Sequence, residues 1–160
     1  MGASPIVVER EAVILANARA VWTLVQDLKL LPMWLAFAHR VEEIDGGIGG
    51  RRLRLHRTYR SLNTEMDVEV TSFEPGRLLA WRVEAERRNG KPMPRYARET
   101  RFEIWLEPQP GDATIVRLRS VQEPAGRLKG LAIAMFGRRE AEFRMVKSLE
   151  RLQMVASIQP

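Results

Sequence analysis

Pro124–Pro160, PAGRLKGLAIAMFGRREAEFRMVKSLERLQMVASIQP, reads as one long amphipathic helix. Leu128, Leu131, Met135, Met145, Val146, Leu149, Leu152 and Ala156 recur at three- and four-residue steps, the spacing of a single buried stripe. At about 100° per residue, Arg138 and Glu142 fall inside that apolar arc. Two readings are open: an ordinary (i, i+4) surface ion pair that snorkels to the edge, or a helix facing a cavity that needs a polar handle. Gly130 and Gly137 leave a third, a bend, because glycine inside a helix costs about 1 kcal/mol relative to alanine.

Upstream of this helix, from about His39 to Glu123, the chain alternates like short strands joined by turns. Such an order sets one helix across one antiparallel sheet, which seldom fills the space between them. Placing a turn at Arg60–Asn63 makes Tyr59 face Thr64, with Leu53 opposite Val70, Leu55 opposite Val68 and Arg57 opposite Met66. The other face then pairs Arg54 with Glu69 and His56 with Asp67. The Glu74-Pro75-Gly76-Arg77 turn sets Phe73 against Leu78, Val70 against Trp81 and Glu69 against Arg82. Around Pro108–Asp112, Ile104 faces Val116, Phe102 faces Leu118 and Glu103 faces Arg117. The result is a one-sided sheet with a dry inner face and an ion-laced outer one.

Before the sheet, Val7–Leu15 is an opening strand. Asn17 then caps a short helix Ala18–Asp27 that carries Val21, Trp22, Leu24 and Val25. A second short helix begins near Pro32. His39–Asp45 is a strand ended by Gly46-Gly47-Ile48-Gly49-Gly50. That cluster lacks GxxxxGK[ST] and has no following helix, so it reads as a hairpin turn rather than a phosphate loop.

Composition narrows the function. At 160 residues the chain is expected to form one domain, 1–160, able to bury about two-thirds of its unfolded surface. Cysteine is absent, which removes disulfides, thiolate metal sites and cysteine nucleophiles. The start, MGASPIVVER, lacks the features of a signal peptide, and LAIAMFG falls far short of the ~18 apolar residues of a membrane span. A cytoplasmic location is the expectation. The net charge of +6, with 22 arginines and four lysines, raises nucleic acid, anionic lipid and acidic ligands as partners. Most arginines sit beside glutamates, however, which argues against nucleic acid. The one basic cluster without local acid, Arg87–Arg95, carries Gly90, Pro92 and Pro94 and reads as a loop.

No metal ligand set or nucleophile triad can be assembled, so neither metal nor cofactor is expected. His56 beside Asp67 looks like a general-base pair, but the register puts both on the solvated face. The inner face is more informative: Arg57, Tyr59, Tyr96, Arg98 and Thr100 share parity with Met66, Val68, Trp81, Val83, Phe102 and Ile104. Charge there must be paired or wet. Either these positions lie where the sheet frays into solvent, or they form a cavity mouth that Trp34 and Phe37 could close. On the cavity reading the ligand-binding set is Trp34, Phe37, Arg57, Tyr59, Met66, Trp81, Arg98, Thr100, Leu131, Met135 and Glu142. Glu142 is the strongest inner-arc carboxylate for acid–base work. On the outer face Phe73, Leu78, Trp105 and Ile115 should cluster, and exposed apolar surface of that kind is expected to be covered by a second subunit, making a homodimer, or by a chain terminus.

The order of elements, with Ala18-Arg-Ala-Val21-Trp22 leading to Asp27, Leu31-Pro32-Met33-Trp34, Phe73-Glu74-Pro75 followed by Leu79-Ala80-Trp81-Arg82, and the closing Leu149–Leu152, resembles the START-like superfamily. That superfamily has the helix-grip fold and includes the birch pollen allergen relatives and the polyketide cyclase/dehydrase-like group. The likeness spans essentially the whole chain; Met33 stands where the family commonly has glutamate. It implies an α+β fold: a seven-stranded curved antiparallel sheet around a long C-terminal helix, with two short helices after the first strand. It also implies a pocket for a hydrophobic or amphipathic small molecule such as a lipid, polyketide or aromatic metabolite. Three functions are compatible with it: binding or transport, a polyketide cyclase or dehydratase activity involving Arg57, Tyr59, Arg98 and Glu142, and a ribosome- or quinone/membrane-associated binding module.

Overall fold

The computed structural model describes residues 4–44 and 50–158. Its strands are β1 (Ile6–Ile14), β2 (Arg40–Ile44), β3 (Arg52–Tyr59), β4 (Leu62–Glu74), β5 (Leu78–Arg88), β6 (Lys91–Pro92), β7 (Ala97–Gln109) and β8 (Ala113–Pro124). Seven of them form one antiparallel path, β1-β8-β7-β5-β4-β3-β2, and the two-residue β6 pairs with β5 alone. Two short helices, α1 (Ala18–Gln26) and α2 (Leu31–Trp34), follow β1. The C-terminal helix is built in three pieces: α3 (Arg127–Ala132), a π-helical turn Ile133–Gly137, and α4 (Arg138–Ile158). This is the curved sheet and gripping helix implied by the resemblance. The glycine turn 46–50 lies outside the described residues except for Gly50.

Local chemistry explains the first elements. Asn17 accepts a hydrogen bond from the Ala20 amide at 2.9 Å, capping α1, which buries Val21, Trp22, Leu24 and Val25. Pro32 opens α2, where its missing N–H costs nothing. Trp34 is fully buried and donates its indole N–H to the Leu24 carbonyl at 2.8 Å. Ser148 of α4 accepts from the Ala36 amide at 2.8 Å and donates to the Arg144 carbonyl at 2.6 Å, fastening the α2 exit to the helix. Met145, Leu149, Leu152 and Ala156 join these helices to Val8, Ile14, Leu53, Ile104 and Leu118 in one core.

The register differs from the sequence reading by two residues in two hairpins. The β3–β4 turn is only Arg60-Ser61, with Arg60 at φ 56°, so Tyr59 pairs with Leu62, Arg57 with Thr64, Leu55 with Met66 and Leu53 with Val68. Tightening at 110–112 likewise pairs Ile104 with Leu118, Phe102 with Ser120 and Glu103 with Arg119. A two-residue slip preserves which face each side chain occupies, so the inside and outside survive while the partners change. Arg54 therefore meets Asp67 rather than Glu69, and His56 meets Glu65 and Glu42 rather than Asp67.

β-Bulges have the opposite effect. On β4–β5, Val70 faces Trp81 and Glu69 faces Arg82 as expected, but irregularities fall between Asp67 and Val68 and between Val70 and Ser72. The second sets Phe73 opposite Leu79 and turns its ring onto Trp22 of α1, 5.3 Å between centroids. Phe73 thus leaves the expected outer cluster. Leu78 is covered opposite Trp105, and Arg77 lies over the Trp105 ring, so the four residues do not form a contiguous exposed patch.

Candidate functional site

Because the buried half of α4 begins at Met145, the core fills only one end of the grip. At the other end a cavity of about 560 Å³ opens between β5, β7, β8 and the α3–π–α4 segment. Its apolar wall comprises Val83, Met93, Ala97, Ala132, Ile133 and Phe136; Thr100, Gln122, Glu86, Glu99 and Glu140 supply polar groups. Arg88, Arg95 and Arg98 also line it. The mouth is tied together by one backbone and one side-chain hydrogen bond: the Ala125 amide donates to the Tyr96 carbonyl at 3.0 Å, and Lys129 Nζ to the Arg95 carbonyl at 3.3 Å.

The bulge between Asp67 and Val68 places Glu86 here. Strict alternation from Trp81 and Val83 would turn Glu86 outward. The extra residue on β5 instead leaves Ala85 opposite Asp67 and Glu86 opposite Met66, on the inner face. Among the described residues Glu86 has neither an ion-pair nor a side-chain hydrogen-bond partner. Burial pushes its carboxyl above the usual range, opposed by the charge of Arg95. Sequence alternation missed this residue, since no β-branched break or glycine marks the bulge.

The expected site residues separate into several places. Arg98 and Thr100 line the cavity; Arg98 also pairs with Glu123 at 3.4 Å. Arg57 and Tyr59 line a second, wider depression with Pro32, His39, Phe143 and Arg144. Glu140 borders both hollows, 3.8 Å from Arg57 and hydrogen-bonded by Arg144. Tyr96, on the inner-face list, lines the main cavity's mouth. Trp34 and Trp81 are buried core residues and line neither hollow. Phe37 and Met66 pack against the core, with Phe37 tilted against Phe102 and Trp81 stacked on it at centroid distances of 5.1 and 5.2 Å.

Leu131 and Met135 do not form the cavity's apolar wall. The π turn holds its residues at more than 3.6 per turn, so the inward position moves by about one residue and falls on Gly130 and Ile133. Both expected residues are left facing solvent. Glu142 is also displaced: its carboxylate pairs with Arg138 at 3.2 Å and with Arg10 of β1 at 3.3 Å, outside the cavity. The surface ion pair, one of the readings open from periodicity, is the arrangement observed. Glu140, two residues earlier, is the helix carboxylate that reaches the hollow.

Neither histidine lines the main cavity. His39 Nδ1 accepts from the Thr58 amide at 3.1 Å, and His56 Nε2 lies 2.9 Å from Glu42 on the outer face. No cluster of three potential metal ligands occurs among the described residues, and no helix among them is long and apolar enough to cross a membrane.

A curved antiparallel sheet wrapped on a C-terminal helix, with a hollow at the helix's N-terminal end, defines a helix-grip protein of the START-like class. The family model for "polyketide cyclase / dehydrase and lipid transport" matches residues 5–156, and the chain belongs to that family. Among solved structures it is similar to Ara h 8.0201, at 10% identity and a TM-score of 0.72, covering 98% of this chain and 100% of that one. It is also similar to the Zhui aromatase/cyclase from Streptomyces sp. R1128, at 18% identity, TM-score 0.66, and 96% and 94% coverage. A START superfamily protein from Mycobacterium smegmatis matches at 15% identity, TM-score 0.63, and 93% and 98% coverage. At such identities these likenesses concern the fold. No curated protein matches the sequence.

Proposed function

We propose that this chain, acting as one domain, binds an amphipathic small molecule in the cavity between β5, β7, β8 and α3–α4. The supporting observation is the cavity itself: about 560 Å³, within the range of ordinary ligand pockets, with an apolar wall and a few convergent polar groups. The ligand's apolar body lies along Val83, Ala132 and Ile133. An oxygen-bearing group meets the inward carboxyl of Glu86, with Thr100 and Gln122 within the same lining. Arg98 and Thr100 remain in the binding set, whereas Arg57 and Tyr59 belong to the adjoining depression.

A second reading, a cyclase or dehydratase, is favoured by one specific feature. Glu86 is an inward carboxyl whose burial favours its protonated form, the property required of a group that gives a proton to a carbonyl or departing hydroxyl and takes it back. Glu142, held in a surface ion pair, is replaced in that role.

Thermal-shift and native mass measurements with fatty acids, hydroxylated aromatic acids and aromatic polyketides test the binding reading. Wild type should gain stability with at least one class, and Ile133→Trp, which fills the hollow, should lose that gain while keeping its fold. Equal stabilisation of the two proteins would place the ligand elsewhere, and no stabilisation by any class would remove the reading.

A further inference from the structure

From Pro124 to Arg139 the chain contains four cations and no acidic residue. The apolar stripe expected to be buried there faces outward: Leu128 is 83% exposed, Phe136 72%, Leu131 57% and Met135 56%. Leu128, Leu131 and Met135 lie three and four residues apart, so they share one helix face, and Phe136 continues that face over the cavity mouth. Arg127 and Lys129 flank the stripe, and Arg139 follows it. The hydrogen bond from Lys129 to Arg95 brings the β5–β6 turn, with Arg88 at the end of β5 and Lys91 in β6, to the same end. Among the described residues Arg88, Lys91, Arg95, Arg127, Lys129 and Arg139 form no salt bridge, whereas Arg138 pairs with Glu142 and most arginines elsewhere on the sheet are paired.

We propose that this end of the molecule docks on an anionic phospholipid membrane surface, with Leu128, Leu131, Met135 and Phe136 entering the headgroup–acyl boundary and Arg127 and Lys129 lying at the phosphates. The two parts of the patch select this occupant together. Apolar side chains on one helix face rimmed by cations are what an interfacial helix presents to a bilayer. Unpaired cations within a Debye length of an anionic surface add to the attraction. A second copy of the chain would oppose the same uncompensated cations to one another. A nucleic acid would use the cations and leave the apolar stripe in water. Docked in this way the cavity mouth opens toward the lipid, because Ala132, Ile133 and Phe136 belong both to the docking segment and to the cavity lining.

Co-sedimentation of the full chain with vesicles tests the assignment without identifying the cavity ligand. Binding to phosphatidylcholine mixed with phosphatidylglycerol should exceed binding to pure phosphatidylcholine by about tenfold or more and should weaken as salt rises. Arg127→Glu with Lys129→Glu should abolish the preference for the anionic vesicles. Leu131→Ser with Met135→Ser should weaken binding to both vesicle types, and because both positions are exposed the melting temperature should not change. Equal binding to the two vesicle types, or wild-type binding by either double variant, would overturn the proposal. So would tighter binding to double-stranded RNA than to vesicles with no loss from Leu131→Ser and Met135→Ser, which would mark a nucleic-acid surface.

Discussion

Arg54 Nε donates to the carboxylate of Asp67 at 2.8 Å, on the outer face of the sheet, where Asp67 is nevertheless buried. Arg87 donates to the same oxygen at 2.9 Å, so two guanidiniums from β3 and β5 clasp one acid on β4. Burial alone would raise the Asp67 carboxyl, but the hydrogen bonds and charges of Arg54 and Arg87 outweigh it and hold the value at about 2, below its ordinary 3.8. The stability this contributes is complete above 3.8 and is lost as pH falls toward about 2. Asp67→Asn should cost on the order of 2 kcal/mol at neutral pH by urea unfolding. The two proteins should converge in acid, and a constant difference down to the acid transition would count against the clasp.

Glu86 titrates in the opposite sense. Its carboxyl is raised by burial, so the folded state favours the protonated form; stability is full below the ordinary 4.5 and declines as pH rises through the raised value. Glu86→Gln should therefore melt higher than wild type at neutral pH and approach it as pH falls toward 4.5. A scanning-fluorimetry series across pH measures this. Lower stability of the variant at neutral pH would mean that a cation compensates the charge.

Ser148 is fully buried and is the acceptor for the Ala36 amide. Ser148→Ala strands that amide and should cost about 1–2 kcal/mol in denaturant midpoint and slope analysis. An unchanged midpoint would show that the link between α2 and α4 carries no net energy.

Phe102 joins the rings of Phe37 and Trp81 and is almost wholly buried. Phe102→Ala should destabilise by about 3–5 kcal/mol, and the emission of Trp81 should shift to the red as water gains access. A loss below about 1 kcal/mol would indicate that neighbours collapse into the space.

The elements and their order were legible because each is carried by a local signal: Asn17 as a cap, Pro32 as a helix opener, alternation along the strands, and the three- and four-residue repeat from Met145 to Ala156. Faces were legible where pairing slipped by two, as for Arg57 and Ile104. What failed depends on single-residue irregularities with no compositional signature. The bulge on β5 conceals Glu86, the one near Val70 misplaces Phe73, and the π turn rotates Leu131 and Met135 into solvent. All three arise from tertiary fit of the sheet and helix, which a repeat in the chain cannot express. The cavity's existence followed from the mismatch between one helix and one broad sheet, whereas its lining required those irregularities.

The β5 bulge also guards the folding of its own hairpin. Smoothing it out by sliding the end of β5 one residue would set Ala85 opposite Met66, turn Arg87 to the inner face opposite Thr64 and carry Glu86 to the exterior opposite Glu65. The slipped hairpin would then hold a buried guanidinium without its acid, and Asp67 would keep only one of its two arginines. Both penalties come from the same one-residue error, so the charges on the outside of the sheet proofread the alignment of the inside, and the hollow inherits its shape from that check.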